Sequence, residues 1–157
     1  MMAFTQYSTR VDKENTARAQ GHELHISPRH CVEICRALRG RSVTEAKSYL
    51  EDVIAKKQAV PFKRHNSGVG HRTGITGWDA GRYPQKAARE VLKVLKHAEA
   101  NAEYKGLDTD QMYILYSLAR RGRTIQGRIP RAMGRATAKN TDTVTIEMTL
   151  QESTDGD

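Results

Sequence analysis

Aromatic residues and long apolar runs are scarce in this 157-residue chain. Aromatic side chains make up 6% of it, although a hydrophobic content of 38% is enough for the core of one small domain. No apolar run approaches the roughly 20 residues that a membrane-spanning helix needs. Residues 1–10 also lack the basic start and apolar centre of a signal peptide. We therefore expect a cytoplasmic protein with no membrane partner.

Groups that catalyse reactions or bind metals are also few. Cys31 and Cys35 lie four positions apart on a predicted helix, and reduced thiols in a core are favoured there over zinc ligands. The six histidines have no spacing that would place a nucleophile, a base and an orienting group together. Gly68-Val69-Gly70 is not followed by the lysine of a phosphate-binding loop. The sequence therefore predicts no enzyme activity, no metal and no cofactor.

Acidic residues are missing from one segment, residues 117–140. The chain has 26 basic and 18 acidic residues, and setting aside the seven cations of this segment leaves 19 basic against 18 acidic. Such a cluster predicts a polyanionic partner, nucleic acid before an anionic membrane. Six of the seven are arginines, whose planar guanidinium groups bind phosphates and stack on bases, so RNA is favoured. A disordered basic loop is the alternative. The seven are Arg120, Arg121, Arg123, Arg128, Arg131, Arg135 and Lys139.

Two predicted strands flank this segment, residues 111–118 and 143–150, each with alternating apolar and polar side chains. Ordinary hairpin loops have two to five residues, so the much longer connection here needs another explanation. We predict that residues 117–142 form a long basic β-hairpin, projecting roughly 40 Å at ~3.3 Å per residue. The chain is expected to reverse near Pro130, with Gly127 and Gly134 supplying positive φ on either side.

Three amphipathic helices are predicted before this segment. The first, residues 28–40, has proline at its first position, where the missing N–H is tolerated. The second covers residues 43–57. The third covers residues 84–105 and precedes Gly106, which is placed to end a helix. These helices are expected to cover the single buried face of each strand.

The two ends of the chain carry weaker patterns. A short strand is expected around Phe4, Tyr7 and Ser8, and residues 12–23 are expected to form an irregular connection. Residues 151–157 contain three acids and no apolar side chain, so we expect a disordered acidic tail. Residues 1–150 are predicted to form one domain.

Residues 60–84, between the second and third helices, are rich in glycine and in cations. Five glycines would let the backbone approach a partner closely, and Trp78 among the cations suits an unstacked base or an RNA backbone. The stretch is not expected to pack on itself, and a flexible connector with solvated cations is the alternative. The RNA-binding residues predicted here are Lys63, Arg64, His65, Asn66, His71, Arg72, Trp78 and Arg82.

Several motifs closely resemble the universal large-subunit ribosomal protein family known in bacteria as L22. The likeness covers almost the whole chain, and together the motifs are highly specific. The glycine-rich insertion resembles the archaeal and eukaryotic branch, and we expect an archaeal member because no long basic C-terminal extension follows. The motifs are Val60-Pro61-Phe62 with Asn66, Gly68, Val69 and Gly70, then Trp78, Gly81-Arg82 and Pro84, then Ala98-Glu99 and Asn101-Ala102-Glu103, then Lys105-Gly106-Leu107-Asp108, Arg131-Ala132-Met133-Gly134-Arg135 and Ile146-Glu147-Met148.

The resemblance implies an α+β fold, with three helices packed on a small three-stranded antiparallel sheet and a long basic β-hairpin extension. It implies a structural constituent of the large ribosomal subunit, one copy per subunit, that binds several domains of 23S rRNA, supports assembly and contacts neighbouring ribosomal proteins. It also implies that the hairpin lines the tunnel through which the nascent polypeptide leaves, with a tip at Arg128, Ile129, Pro130, Arg131, Ala132 and Met133. From the residues alone, a free-standing RNA-binding or nucleoid protein and an enzyme acting on RNA stay open.

Overall fold

Three α-helices and seven strands are present in the residues that the computed structural model describes, 7–11 and 14–153. In chain order they are β1 (Thr16–Leu24), α1 (Pro28–Leu38), α2 (Val43–Ile54), β2 (Val60–Pro61), β3 (Gly81–Arg82), α3 (Gln85–Tyr104), β4 (Met112–Ile125), β5 (Arg128–Pro130), β6 (Ala136–Ala138) and β7 (Thr141–Glu152). The three long strands form an antiparallel sheet in the order β1-β7-β4. The predicted α+β class is therefore confirmed, and β7 is the central strand.

The predicted helices are all present, and sequence signals account for two of their ends. α1 begins at Pro28. Past the end of α3, the Gly106 N–H donates to the Glu103 carbonyl at 2.9 Å, and the Leu107 N–H donates to the Ala102 carbonyl at 3.1 Å. This pair of bonds is a Schellman motif, and Gly106 adopts the required positive φ of 76°. α1 and α2 end two to three residues before the predicted positions, at residues 38 and 54.

The helices cover one face of the sheet. α1 packs against β4, α3 packs against β1, both contact β7, and α2 packs on α3. The four apolar residues of β7 that were predicted to face the helices are fully buried, in agreement with period-two alternation. They are Val144, Ile146, Met148 and Leu150.

The opposite face of β7 is buried as well, so the expectation of one buried face is wrong for this strand. Thr143, Thr145, Glu147 and Thr149 are at most 7% exposed. A central strand has neighbours on both edges, and the N-terminal segment reaches its polar side. The backbone N–H and the hydroxyl of Ser8 donate to the Glu147 carboxylate at 2.8 and 3.0 Å. The alternation therefore identified the core-facing residues but not the cover on the other side.

Both ends of the chain differ from the predictions. Residues 16–24 form β1 and pair with β7, so the predicted irregular connection is wrong from residue 16 onward. Tyr7 and Ser8 are not in a strand, which makes that prediction wrong for them, and Phe4 lies outside the described residues. Gln151 and Glu152 are the last residues of β7 and pair with β4. A disordered tail therefore cannot begin at residue 151, while residues 154–157 lie outside the described part.

Candidate nucleic-acid interface

Paired strands make up the basic segment. β4 and β7 pair as far as Ile125 opposite Thr141, and β5 then pairs with β6. Between the two ladders, the Lys139 N–H donates to the Gly127 carbonyl at 2.7 Å. A Cβ at Gly127 would lie 2.6 Å from the Lys139 carbonyl oxygen, so this glycine allows close approach. The predicted positive φ at Gly127 is wrong, whereas the distance that the segment projects from the body stays a prediction.

The chain reverses at Met133 and Gly134, beyond the predicted position at Pro130. These two residues have φ values of 59° and 67°, and the Arg135 N–H donates to the Ala132 carbonyl at 3.4 Å across them. Positive φ at both central residues is typical of the tightest hairpin turns. Pro130 instead belongs to the β5–β6 ladder. The predicted turn glycine is therefore correct at residue 134, and the centre of the turn is corrected to Met133.

The three arginines nearest the body, which we call the proximal arginines, each contact a carboxylate. Nη2 of Arg120 lies 2.6 Å from Oε1 of Glu147, Nη2 of Arg121 lies 2.7 Å from Oδ1 of Asp142, and Nε of Arg123 lies 3.2 Å from Oε1 of Glu23. These three cations therefore have internal partners, although the segment itself contains no acidic residue. The acids lie on β7 and β1, and only strand pairing brings them close.

The contact with Arg121 changes the ionisation of Asp142. The hydrogen bond from the Arg121 guanidinium, with a second bond from the Thr124 hydroxyl at 2.9 Å, lowers the pKa of the Asp142 carboxyl. The carboxylate is therefore charged at neutral pH and neutralises the arginine beside it.

The four cations farther along the segment, which we call the distal cations, are exposed. Within the described residues none of them contacts an acidic side chain, and Arg131 makes a single side-chain hydrogen bond, to the Thr137 hydroxyl at 3.4 Å. The uncompensated positive charge therefore lies in the outer part of the paired strands. The distal cations are Arg128, Arg131, Arg135 and Lys139.

The glycine-rich stretch, residues 60–84, is folded, which contradicts the expectation that it cannot pack. β2 pairs with β3, the Phe62 N–H donates to the Ala80 carbonyl at 3.0 Å, and the Arg72 N–H donates to the Asp79 carbonyl at 2.8 Å. The Phe62 side chain is buried, and its ring meets the His30 ring at a centroid distance of 5.5 Å. Backbone pairing and this aromatic anchor hold the stretch on the body, so a flexible connector does not describe it.

One buried carboxylate fixes the start of the stretch. Glu33 of α1 is 1% exposed and accepts three backbone N–H bonds, from Lys63 at 3.1 Å, Arg64 at 2.8 Å and His65 at 2.7 Å. Such bonds satisfy a buried carboxylate without a cation. Glu33 therefore positions three predicted RNA-binding residues, and the side chains of two of them, Lys63 and Arg64, are exposed. Sequence reasoning missed Glu33 because a glutamate on an amphipathic helix normally faces solvent.

Trp78 has a structural role that the sequence did not indicate. Its indole N–H donates to the Phe62 carbonyl at 2.9 Å, and the residue is half-buried. The Arg82 guanidinium lies 5.8 Å from the centroid of the Phe62 ring and donates to the Gly68 carbonyl at 3.2 Å. The other predicted residues of the stretch are exposed, except His65, which is half-buried; the exposed ones include Asn66, His71 and Arg72.

Part of this stretch lies next to the paired strands. His65 and Arg121 line one cavity of about 450 Å³, together with Arg29 and Asp142. Arg29 is exposed on the first turn of α1 and was not among the predicted residues. The structure therefore joins the glycine-rich stretch to the inner end of the strand pair, while the turn at Met133 lies outside this junction.

The predicted core role of the two cysteines is confirmed. Cys31 and Cys35 are free, buried thiols. Burial raises the pKa of both, that of Cys35 to about 11, so neither is an activated nucleophile. Among the described residues, no cluster of His, Cys, Asp or Glu side chains is suited to hold a metal ion. No described helix combines the length and apolar character needed to cross a membrane.

Fold and charge together define a small basic α+β protein with exposed cations on the outer part of one pair of strands and on the glycine-rich stretch. The sequence model of the family described as Ribosomal protein L22p/L17e matches residues 19–151. The chain is 54% identical to the large ribosomal subunit protein uL22 of Methanocella arvoryzae over 151 residues, 96% of this chain and 99% of that relative. It is 59% identical to the protein of the same name from Methanopyrus kandleri over 143 residues, 90% of each chain. For Methanothrix thermoacetophila the identity is 60% over 136 residues, 87% of this chain and 90% of the relative.

The chain therefore belongs to the ribosomal protein L22p/L17e family, in its archaeal form. It is a structural constituent of the ribosome and not an enzyme. The predicted family is confirmed, and the nucleoid-protein and RNA-enzyme alternatives lose their basis.

Proposed function

We propose that this chain is a component of the large ribosomal subunit in the cytoplasm, where it binds 23S rRNA and lines the nascent-polypeptide exit tunnel with residues 117–142. The name of these relatives, large ribosomal subunit protein uL22, supports the location. The observation that carries RNA binding is the set of distal cations, which are exposed and have no acidic partner among the described residues.

An RNA phosphate backbone is a more favourable environment for the distal cations than water alone. Four positive groups along one narrow pair of strands repel one another, and like charges close together on paired strands are destabilising. RNA phosphates supply the missing negative charge, and each contact releases a condensed counterion. Arginine can also bind a phosphate with two parallel hydrogen bonds. The outer strands are therefore one electrostatic contact with rRNA.

The glycine-rich stretch is the second contact with rRNA. Lys63, Arg64, Arg72 and Arg82 make no ion pair within the part of the chain that the structure describes. Glu33 holds the first two of these in place through their backbone N–H groups. A surface that is ordered before binding loses less entropy on association. The stretch therefore binds rRNA as a preformed surface on the body.

The turn of the paired strands faces the tunnel. Met133 is 93% exposed at this turn, and a flexible, uncharged thioether tolerates contact with varied sequences. The tunnel-lining residues are Arg128 to Met133, with the reversal at Met133 and Gly134. Neighbouring ribosomal proteins contact the body, one copy is present per subunit, and contact with several rRNA domains supports assembly.

Sedimentation of a tagged chain tests the location. We expect the chain to co-sediment with large subunits in a sucrose gradient, and chemical footprinting to show rRNA protected around residues 63–82. A chain that stays at the top of the gradient would refute the proposal. Unprotected rRNA beside an exposed glycine-rich stretch would remove the second contact alone.

A shortened variant tests the tunnel role. In the full chain the Lys139 N–H donates to the Gly127 carbonyl at 2.7 Å. If residues 128–138 are replaced with Asn-Gly, this hydrogen bond can close a two-residue turn. Subunits should still incorporate this variant through the body and the inner strands. A photoreactive nascent chain should crosslink to the full-length protein but not to the shortened one.

Two results would contradict this division of roles. If the shortened chain folds but no longer enters subunits, the outer strands are the main anchor and the body is secondary. If crosslinking to the nascent chain persists without residues 128–138, the tunnel is lined by another part of the protein.

A further inference from the structure

A cavity of about 380 Å³ lies between α1, α2 and the glycine-rich stretch. Arg36 of α1 and Tyr49 of α2 line it on the body side, with Arg41 from the connection between the two helices. Lys63 and residues 74–76 line it on the side of the glycine-rich stretch. Its volume is within the range of small-ligand sites. Of the side chains predicted to bind RNA, Lys63 alone is in this lining.

Tyr49 holds one face of an arginine at this cavity. The residue is 4% exposed. The Arg41 guanidinium lies over the Tyr49 ring at 4.3 Å from its centroid, and Nε of Arg41 donates to the Ala37 carbonyl at 2.9 Å. The guanidinium is therefore fixed with one face against the ring, and its opposite face is turned away from Tyr49.

The charges at the cavity favour an anion. Arg36 and Lys63 are exposed and make no ion pair in the described part of the chain. The single carboxylate of the lining, Glu33, already accepts three backbone N–H bonds. Positive charge at the rim therefore lacks an internal counter-charge.

We propose that this cavity binds a single unstacked nucleotide of RNA. The phosphate lies at Arg36 and Lys63, and the base stacks on the face of the Arg41 guanidinium opposite Tyr49. Bases splayed out of RNA commonly stack on arginine planes in this way, and a stacked planar arginine is better suited to a base than to an acidic side chain. The inference rests on the proposed function, and it adds that one nucleotide of the RNA binds in an unstacked form.

Titration of the isotopically labelled full chain with nucleoside 5′-monophosphates tests the site by NMR. We expect saturable shifts at the Arg41 Nε–H and the Ile75 methyl group, with inorganic phosphate binding at least about tenfold more weakly because it has no base. Arg41→Lys keeps the charge and removes the planar surface on which the base stacks, so affinity should fall at least about fivefold. Arg36→Gln should lower affinity about tenfold, whereas Lys96→Gln, an exposed charge on α3, should not change it.

Four results would overturn the assignment: no saturable shift, equal affinity for phosphate and nucleotide, tighter binding of a glutamate-rich peptide, or unchanged affinity in an Arg41→Lys variant with normal melting behaviour. Sedimentation separates this inference from the proposed function. A chain that enters large subunits but fails the titration loses only the nucleotide site. A chain that passes the titration but does not enter subunits retains the site and loses the ribosomal location.

Discussion

Proximal and distal cations share one pair of strands but differ in their partners. Arg120, Arg121 and Arg123 each contact a carboxylate from β7 or β1, whereas the distal cations have none among the described residues. The residue type is nearly the same throughout, so the difference comes from position. Near the sheet a third strand and the polar face of β7 supply acids, and beyond residue 125 the two strands lack such neighbours. The inner charges are thus used within the fold, and the outer ones are free for an external anion.

The largest effect should come from destroying the strand that supports both groups. Ile146 is fully buried at the centre of β7. Ile146→Asp buries an unpaired charge, at a cost above about 4 kcal/mol, which is a large part of the roughly 5–15 kcal/mol that stabilises a small protein. We expect the cooperative thermal transition to disappear. Thr137→Asp on the exposed β6 is the control and should melt normally; loss of the transition in both variants would contradict the argument.

Removing the distal cations should have the next largest effect, on RNA binding. Replacing all four with Gln should make the plot of log affinity against log salt less steep by roughly 3, because each phosphate contact contributes about 0.7 to 0.9 to the steepness. The four are Arg128, Arg131, Arg135 and Lys139. The matched change of the three proximal arginines to Gln should reduce the slope by about 1 or less. Binding of an rRNA fragment at several salt concentrations measures both slopes. Similar reductions of the slope in the two variants would show that the internal acids do not keep the proximal arginines from binding RNA.

A smaller difference is expected between Arg120→Gln and Arg131→Gln, in the free energy of unfolding. Arg120→Gln leaves the Glu147 carboxylate, whose side chain is 4% exposed, with hydrogen bonds from Ser8 alone. Losing a partner of a buried charge is costly, but half of the Arg120 side chain is exposed to solvent, so we expect about 1 kcal/mol. Arg131→Gln should change the free energy of unfolding by less than about 0.5 kcal/mol. Urea unfolding compares them, and equal effects would remove the distinction between the two groups.

The smallest effect should be a pH dependence at Asp142. Its pKa in the folded state is lowered, chiefly by the hydrogen bond from Arg121. The stabilisation from this contact is therefore present above the unfolded-state pKa of about 3.9 and is lost as pH falls through the lower folded-state value. We expect the carboxyl carbon of Asp142 to titrate, by NMR, at a lower pH than an ordinary aspartate does. In Arg121→Gln the titration should move upward, and an unmoved midpoint would assign the lowered pKa to another cause.

Local patterns were enough to predict much of the body. Gly106 marked the end of α3, and the alternation of residues 144–150 identified the core-facing side of β7. In both cases the residue types that determine the structure are adjacent in the sequence. β1 has no such signal, since its buried apolar residues, Ala17 and Ala19, are small. Its strand conformation comes from pairing with β7, and tertiary context of this kind overrides local propensity.

The charged residues of the candidate site could be predicted from the sequence, but the residues that they contact could not. Counting cations identified the basic segment, but Glu23 and Glu147 are distant in sequence from the arginines that they contact. Glu33 and Tyr49 were missed for a related reason. A helical glutamate or tyrosine has the same sequence pattern whether it faces solvent, accepts backbone N–H bonds or borders a cavity. Only the packing of the glycine-rich stretch against α1 and α2 decides among these environments.

The central position of β7 has a consequence for biosynthesis. β1 and β4 pair only through β7, so the sheet cannot close until residue 152 has been translated. Arg120 and Arg121 are also made before Glu147 and Asp142, the acids that later neutralise them. A chain truncated after residue 140 should therefore exchange its β4 amide protons rapidly, and slow exchange would show that β4 orders without its partner. During translation the whole basic segment is available to RNA, and completion of the last strand withdraws its inner half.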